Sequence, residues 1–136
     1  NTCRESNIVD FSELLLRTVE EIKQNSSLRS QLQNIFRFIL IDEFQDTNQL
    51  QYQLIKLLAG SSNHVTVVGD DDQSIYGWRG AEVANLLDLE KHFPEVKVVK
   101  LEQNYRSTQT IVNAANSVIK HNKNQIKKTI FSKNIL

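Results

Sequence analysis

Three short polar clusters follow apolar segments in this chain, and each carries side chains suited to phosphate or nucleic-acid chemistry. The first is Asp42-Glu43-Phe44-Gln45-Asp46, directly after a run of apolar residues. An Asp at a strand tip can hold Mg²⁺, because hard cations take oxygen ligands. A neighbouring Glu can orient and deprotonate an attacking water. A solvated loop at a strand end accounts for Asp-Glu alone equally well. The second cluster is Gly69-Asp70-Asp71-Asp72-Gln73. Consecutive carboxylates repel one another unless they are solvated, capped by backbone N–H groups, or near a cation. Gln73 is neutral and two-ended, suited to reporting on a phosphate oxygen. Just beyond it, Gly77 and Gly80 bracket Trp78-Arg79, an aromatic face and a guanidinium that suit a nucleobase and its phosphate. The same pair also reads as a core Trp covered by an Arg stem. The third cluster is Glu102-Gln103-Asn104-Tyr105-Arg106, either a stacking ring with a phosphate-binding charge or an ordinary aromatic at a helix start.

The elements that must position these clusters follow from hydrophobic spacing. Phe11, Leu14, Leu15, Val19 and Ile22 predict a helix behind an Asp10 N-cap, broken at 24–27, with a short second helix over Leu28 to Asn34. Phe36 to Ile41 reads as a strand buried on both faces. Asp46-Thr47-Asn48 caps a helix bearing Leu50, Leu54, Leu57 and Leu58, which ends at Gly60. Val65 to Val68 predicts a second strand, and Gly69 to Gly80 a polar loop. A helix with Val83, Leu86 and Leu87 stops before Pro94. Val96 to Leu101 predicts a third strand, and about Ser107 to His121 a last helix. The chain beyond Asn122 is expected to fray. Strands joined by long helical crossovers are parallel, so the fold class is α/β with an open parallel sheet. Ligands of such sheets bind outside the carboxyl ends of the strands, and all three clusters are expected to meet there.

The 136 residues give room for one ordinary domain, and 40% hydrophobic with 24% charged residues supports a true core. The lone Cys3 excludes a disulfide framework and a Cys-based zinc site, with a reduced, cytosolic chain as the expectation. No apolar run approaches the roughly 18 residues of a membrane span, and no basic-then-apolar leader opens the sequence. There is no Met, not even at position 1, so the chain is expected to be a piece of something longer. The net charge of zero hides a gradient: residues 1–96 hold 8 basic against 15 acidic side chains, and residues 97–136 hold 8 against Glu102 alone. Two structural units are implied. The basic tail faces a polyanion, packs on an acidic neighbour, or forms a solvated helix face.

Taken together, the segments 41–48, 68–81 and 101–107 resemble motifs II, III and IV of the UvrD/PcrA/Rep group of superfamily 1 DNA helicases, with the UvrD type as the nearest likeness. Val9 to Leu15 is similar to the segment that re-enters the first motor domain of that group. The resemblance implies a RecA-like P-loop NTPase motor, a parallel sheet flanked by helices. Residues 1–101 would be the C-terminal portion of the first motor domain and residues 102–136 the start of the second. It further implies an ATP- and Mg²⁺-dependent engine stepping 3′→5′ on single-stranded DNA and opening duplex junctions, in repair or replication, in a bacterial cytosol near the nucleoid. By motif position, Asp42 would hold Mg²⁺ and Glu43 would be the catalytic base. Gln73 would sense the γ-phosphate, Trp78 would stack on a base with Arg79 in support, Tyr105 would stack on adenine, and Arg106 would stabilise charge on the γ-phosphate.

One departure matters. A Walker A loop needs Gly-Lys-Ser/Thr, and the four glycines at 60, 69, 77 and 80 are followed by Ser, Asp, Trp and Ala. Later motifs are missing too, so this polypeptide alone is expected to be inactive. Without the central P-loop strand it is expected to expose sheet edges and to form a non-native dimer. Three rivals remain: a helicase-nuclease motor of RecB or AddA type, a metal-dependent phosphoesterase using both acidic clusters, and a non-catalytic α/β binding module.

Overall fold

The computed structural model describes residues 8–61, 64–93 and 95–134. Cys3 and Pro94 lie outside them. Asp10 caps helix α1 (Phe11–Gln24) as the spacing predicts, its carboxylate accepting the Glu13 N–H at 2.7 Å. Asn25, expected only to break the helix, also starts the next one. Its side chain accepts the Leu28 N–H at 3.0 Å, so α2 runs Ser26–Ile35 and exceeds the predicted span at both ends. Strand β1 (Phe38–Ile41) leads through a 3-10 turn at Phe44–Asp46 to α3 (Gln49–Ala59). Asn48 and Gln51 form a reciprocal capping box on α3, and Gly60 ends it at φ 57°. Strand β2 (His64–Val67) pairs with β1 in parallel, Ile39 beside Val65 and Ile41 beside Val67.

Helix α1 packs on α3, and Lys23 Nζ reaches Gln53 Oε1 at 2.7 Å across that contact. The buried apolar residues of this region are Val19, Ile22, Phe44, Tyr52 and Ala59, with the Phe44 and Tyr52 rings edge to face at 6.1 Å. Strand β1 is not buried on both faces. Ile39 and Ile41 are half-buried, but Phe38 is 72% and Leu40 79% exposed, because helices cover one side of the β1–β2 pair.

The helix expected over 83–93 is two short turns of helix, α4 (Ala84–Leu87) and α5 (Leu89–His92), separated at Asp88. Val96 to Leu101 is not a strand. A strand needs a neighbour for its backbone N–H and C=O groups, and this segment pairs with none among the described residues. The third strand instead lies further on, at β3 (Gln103–Asn104), which pairs in parallel with β4 (Phe131–Ser132) around α6 (Gln109–Ile119). The expected single open sheet is therefore two separate parallel pairs. The tail beyond Asn122 does not fray: it enters β4 and bonds to the carboxylates of Asp70, Asp71 and Asp72. No helix among the described residues is long and apolar enough to cross a membrane.

Candidate functional site

The β1–β2 ladder continues past both strands and lays the first two clusters side by side. Val68 N–H donates to Ile41 C=O at 2.8 Å, and Phe44 N–H donates back to Val68 C=O at 3.0 Å. Phe44, wholly buried, anchors the turn from below. Behind it, Thr47 C=O accepts Glu82 N–H at 3.0 Å and Asn85 Nδ2 at 3.2 Å, so the segment after the loop braces the turn.

Asp42 is exposed, and its Oδ1 accepts the Glu43 N–H at 2.9 Å. Glu43 has φ 49°, and among the described residues no other non-glycine has positive φ. The left-handed region costs a residue with a Cβ on the order of 1 kcal/mol or more, and such outliers gather at functional sites. What holds it is Gln45, which is 1% exposed. The Gln45 amide donates from Nε2 to Glu43 Oε2 at 2.7 Å, and its Oε1 accepts the Asp70 N–H at 2.9 Å. Asp70 Oδ2 in turn accepts Gln73 Nε2 at 2.6 Å. A continuous path thus joins Glu43 to Gln73 through Gln45 and Asp70. Glu43, Gln45 and Gln73 open onto a depression of ≈ 540 Å³ lined also by Asp46, Asp72, Ile75 and Tyr76. Asp46 Oδ1 is buried at its edge with no hydrogen-bond partner among the described residues.

The three consecutive carboxylates offer oxygens within 4.8 Å of one another, a spacing fit for a divalent ion. A side-chain cation fills that place. Lys128 Nζ lies 2.8 Å from Asp70 Oδ1, 2.9 Å from Asp71 Oδ1 and 2.9 Å from Asp72 Oδ2. Ile126 N–H donates to Asp71 Oδ2 at 2.7 Å, and Asn122 Nδ2 to Asp72 Oδ1 at 3.0 Å. Burial pulls the Lys128 ammonium toward neutrality, yet the bonds to the three carboxylates outweigh it and raise its pKa. Burial likewise works to raise Asp70, but its bonds to Lys128 and Gln73 hold it below its ordinary 3.8. Of the three readings of the basic tail, packing on an acidic neighbour holds for Lys128.

Trp78 is 80% exposed, which overturns its reading as a core residue. The Arg79 guanidinium lies 5.5 Å from the Tyr76 ring and 5.7 Å from the Trp78 ring, within cation–π range of both. Gly80, at φ 85°, closes the turn that presents them. Tyr105 and Arg106 directly follow β3. Asn104 Oδ1 accepts both the Arg106 and the Ser107 N–H, at 2.9 and 2.7 Å, and fixes the backbone there. Both side chains are exposed, and neither makes a hydrogen bond, ion pair or ring contact with the first two clusters. Two of the three clusters meet as expected, then, and the third stands apart because its strand joins a different sheet.

Sequence reasoning passed over Gln45, Asp46 and Lys128. The signal for Gln45 was a polar residue two places after the carboxylate pair and beside Phe44. Lys128 was foreshadowed by the charge gradient alone.

The arrangement is a pair of acidic strand-tip loops side by side, with an exposed Trp-Arg turn following the second. Residues 1–94 match the family model described as UvrD/REP helicase N-terminal domain, and residues 99–135 match UvrD-like helicase C-terminal domain. The chain belongs to the UvrD/REP helicase family. Among curated proteins it is similar to ATP-dependent DNA helicase Rep of Escherichia coli strain K12, 51% identical over 93% of the chain and 19% of that protein. ATP-dependent DNA helicase PcrA of Staphylococcus epidermidis and of Staphylococcus aureus are each 48% identical over 93% of the chain and 17% of their own length. The chain spans less than a fifth of these relatives.

Proposed function

We propose that this chain is part of an ATP-driven DNA helicase that steps 3′→5′ along single-stranded DNA. One observation carries the reading: Glu43 is held in a strained left-handed conformation at the tip of β1, with its carboxylate pinned by buried Gln45 beside Gln73. Asp42, exposed at the same tip with an oxygen not engaged by the backbone, suits the Mg²⁺ that accompanies ATP. That ion would supply neutralisation of charge developing on the phosphates. Glu43 accepts a proton from water, and Gln73 orients toward the terminal phosphate with the N–H that Asp70 does not use. Trp78 stacks on a base of the tracked strand with Arg79 beside it, a contact blind to sequence because every base has a π-face. Tyr105 stacks on adenine and Arg106 neutralises the γ-phosphate once the second unit closes over the first.

In this reading the first RecA-like domain ends near Leu101 and the second begins at Glu102. The longer protein supplies Gly-Lys-Ser/Thr upstream and a further arginine downstream, and it works in the bacterial cytosol at single-stranded DNA and junctions. The exposed Phe38 and Leu40 support a sheet that further segments complete, and a non-native dimer of the isolated chain is expected through that face. A two-metal phosphoesterase is disfavoured because the Lys128 ammonium already occupies the place between the carboxylates of the second acidic cluster. A helicase-nuclease motor is the narrower alternative within the same class. The test is DNA-stimulated ATP hydrolysis by the full-length protein, with Glu43→Gln and the isolated chain as comparisons. Loss in both is expected. Undiminished turnover in Glu43→Gln overturns the assignment of the base, and turnover by the isolated chain overturns its incompleteness.

A further inference from the structure

We propose that Lys128 is a positioning residue, a latch from the second unit that sets the amides of Gln73 and Gln45 through Asp70 and so tunes the rim where ATP is hydrolysed. The roles of Glu43 and Gln73 rest on the preceding section; the latch itself rests on geometry. A single carboxylate, Asp70, carries both halves of the link. Its Oδ1 takes Lys128 Nζ at 2.8 Å, and its Oδ2 takes Gln73 Nε2 at 2.6 Å. Its backbone N–H holds Gln45, whose other end holds Glu43. A turn of the Asp70 carboxylate therefore moves the sensing amide, and a shift of its backbone moves the pin on the base.

The contact is unlike an ordinary surface ion pair, which contributes little. The Lys128 side chain is 17% exposed, and those of Asp71 and Asp72 only 3% and 7%. Three carboxylates converge on one ammonium, and the Ile126 N–H and Asn122 amide add two further bonds from the same tail. Without the ammonium, the carboxylates face one another uncompensated and must separate. Asp70 is the most exposed of the three, at 33%, and without the ammonium its carboxylate is left with the Asp72 N–H at 3.2 Å and the Gln73 amide alone. Because the donor comes from the second unit and the acceptor from the loop of the first, the state of docking is written directly into the position of Gln73.

Two measurements test this. In the chain of residues 1–136, the side-chain amide resonances of Gln45 and Gln73 are compared between wild type, Lys128→Met, Lys128→Arg and Asp70→Asn. In the full-length protein, kcat and KM for ATP are measured with and without single-stranded DNA for the same variants. Lys128→Met is expected to shift both amides and to lower DNA-stimulated kcat about tenfold or more, the scale of a small misplacement. KM should stay within about twofold. Lys128→Arg restores most of both. Amide resonances unmoved in Lys128→Met overturn the latch. Resonances that move while DNA-stimulated kcat stays put overturn its positioning role, as does a loss that Lys128→Arg fails to restore. A wild-type protein that hydrolyses no ATP refutes the preceding section instead, and the resonances then decide the latch alone. Should Lys128→Met fail to fold, Asp70→Asn carries the test, since it keeps an oxygen for Gln73 while removing the charge that Lys128 binds.

Discussion

An alanine at position 69 is the smallest perturbation that asks whether Gln45 is held in place. The backbone at Gly69 lies outside the left-handed region, so a Cβ is not forbidden by its own conformation. What the Cβ meets is Gln45 Oε1 at 2.9 Å, Leu86 Cδ2 at 3.3 Å and Gln45 N at 3.4 Å. Side-chain ends usually step aside, but this one is buried and holds the Asp70 N–H and Glu43 Oε2. Moving it weakens one ordinary and one charge-assisted hydrogen bond, together about 2 kcal/mol with allowance for the exposure of Glu43. Crowding adds about 1 kcal/mol, and the reduced freedom of the unfolded chain offsets roughly 0.5–1 kcal/mol. Gly69→Ala should therefore destabilise by about 2 kcal/mol. Urea unfolding of wild type, Gly69→Ala, Gln45→Ala and the double variant completes the cycle. With the Gln45 amide gone, Gly69→Ala should be neutral to within about 0.5 kcal/mol, a coupling of roughly 1.5–2 kcal/mol. Additive single effects would mean that Gln45 is not the obstacle, and the path from Glu43 to Asp70 would lose its keystone.

Asn48→Ala removes the side-chain half of the capping box of α3, leaving the Asn48 backbone N–H to Gln51, and should cost about 1 kcal/mol, whereas Asn48→Asp, which keeps the acceptor, should cost less; thermal melts compare them. The latch has a signed pH dependence. The depressed Asp70 contributes above its ordinary 3.8 and is lost as pH falls through its lower folded value. The raised Lys128 contributes below its ordinary 10.5 and is lost only as pH rises through its higher folded value. Stability below about pH 4 should thus fall more steeply in wild type than in Lys128→Met, and parallel curves would deny the pairing. Trp78→Ala should leave the stability of the chain nearly unchanged, because the ring is exposed, yet weaken single-stranded DNA binding by the full-length protein by about 1–3 kcal/mol regardless of sequence. Fluorescence anisotropy with oligonucleotides of different composition measures it, and a sequence-dependent loss would point to base reading instead of stacking.

Local signals in the sequence carried the fold as far as local physics reaches. Asp10, Asn48 and Gly60 act within a few residues of themselves, and each sits where spacing placed it. The parallel pairing of β1 with β2 followed as well, because a long crossover leaves little choice. What failed depended on partners far along the chain. Val96 to Leu101 has the composition of a strand, but composition supplies no neighbour, and without a ladder the segment stays irregular. Phe36 to Ile41 has the run of a doubly buried strand, and its exposed Phe38 and Leu40 show that apolar character fixes what a residue prefers, not what covers it.

The site divides along the same line. That the loops of Asp42-Glu43 and Gln73 lie side by side was legible because the parallel ladder had to bring those strand tips together. Gln45 was not, since its importance lies in spanning two loops 25 residues apart, a distance that sequence does not encode. Lys128 marks the boundary between the two cases. The excess of acid before residue 97 and of base after it allowed pairing across the chain as one of three readings, and any of eight cations could have supplied it. Only the packing of the tail against 70–72 selects one. Electrostatics therefore left attraction between the acidic and basic stretches as one possibility, and geometry alone decided that it falls on the carboxylate that holds Gln73. An equal charge placed one loop away would stabilise the same packing of the tail while leaving the Gln73 amide untouched.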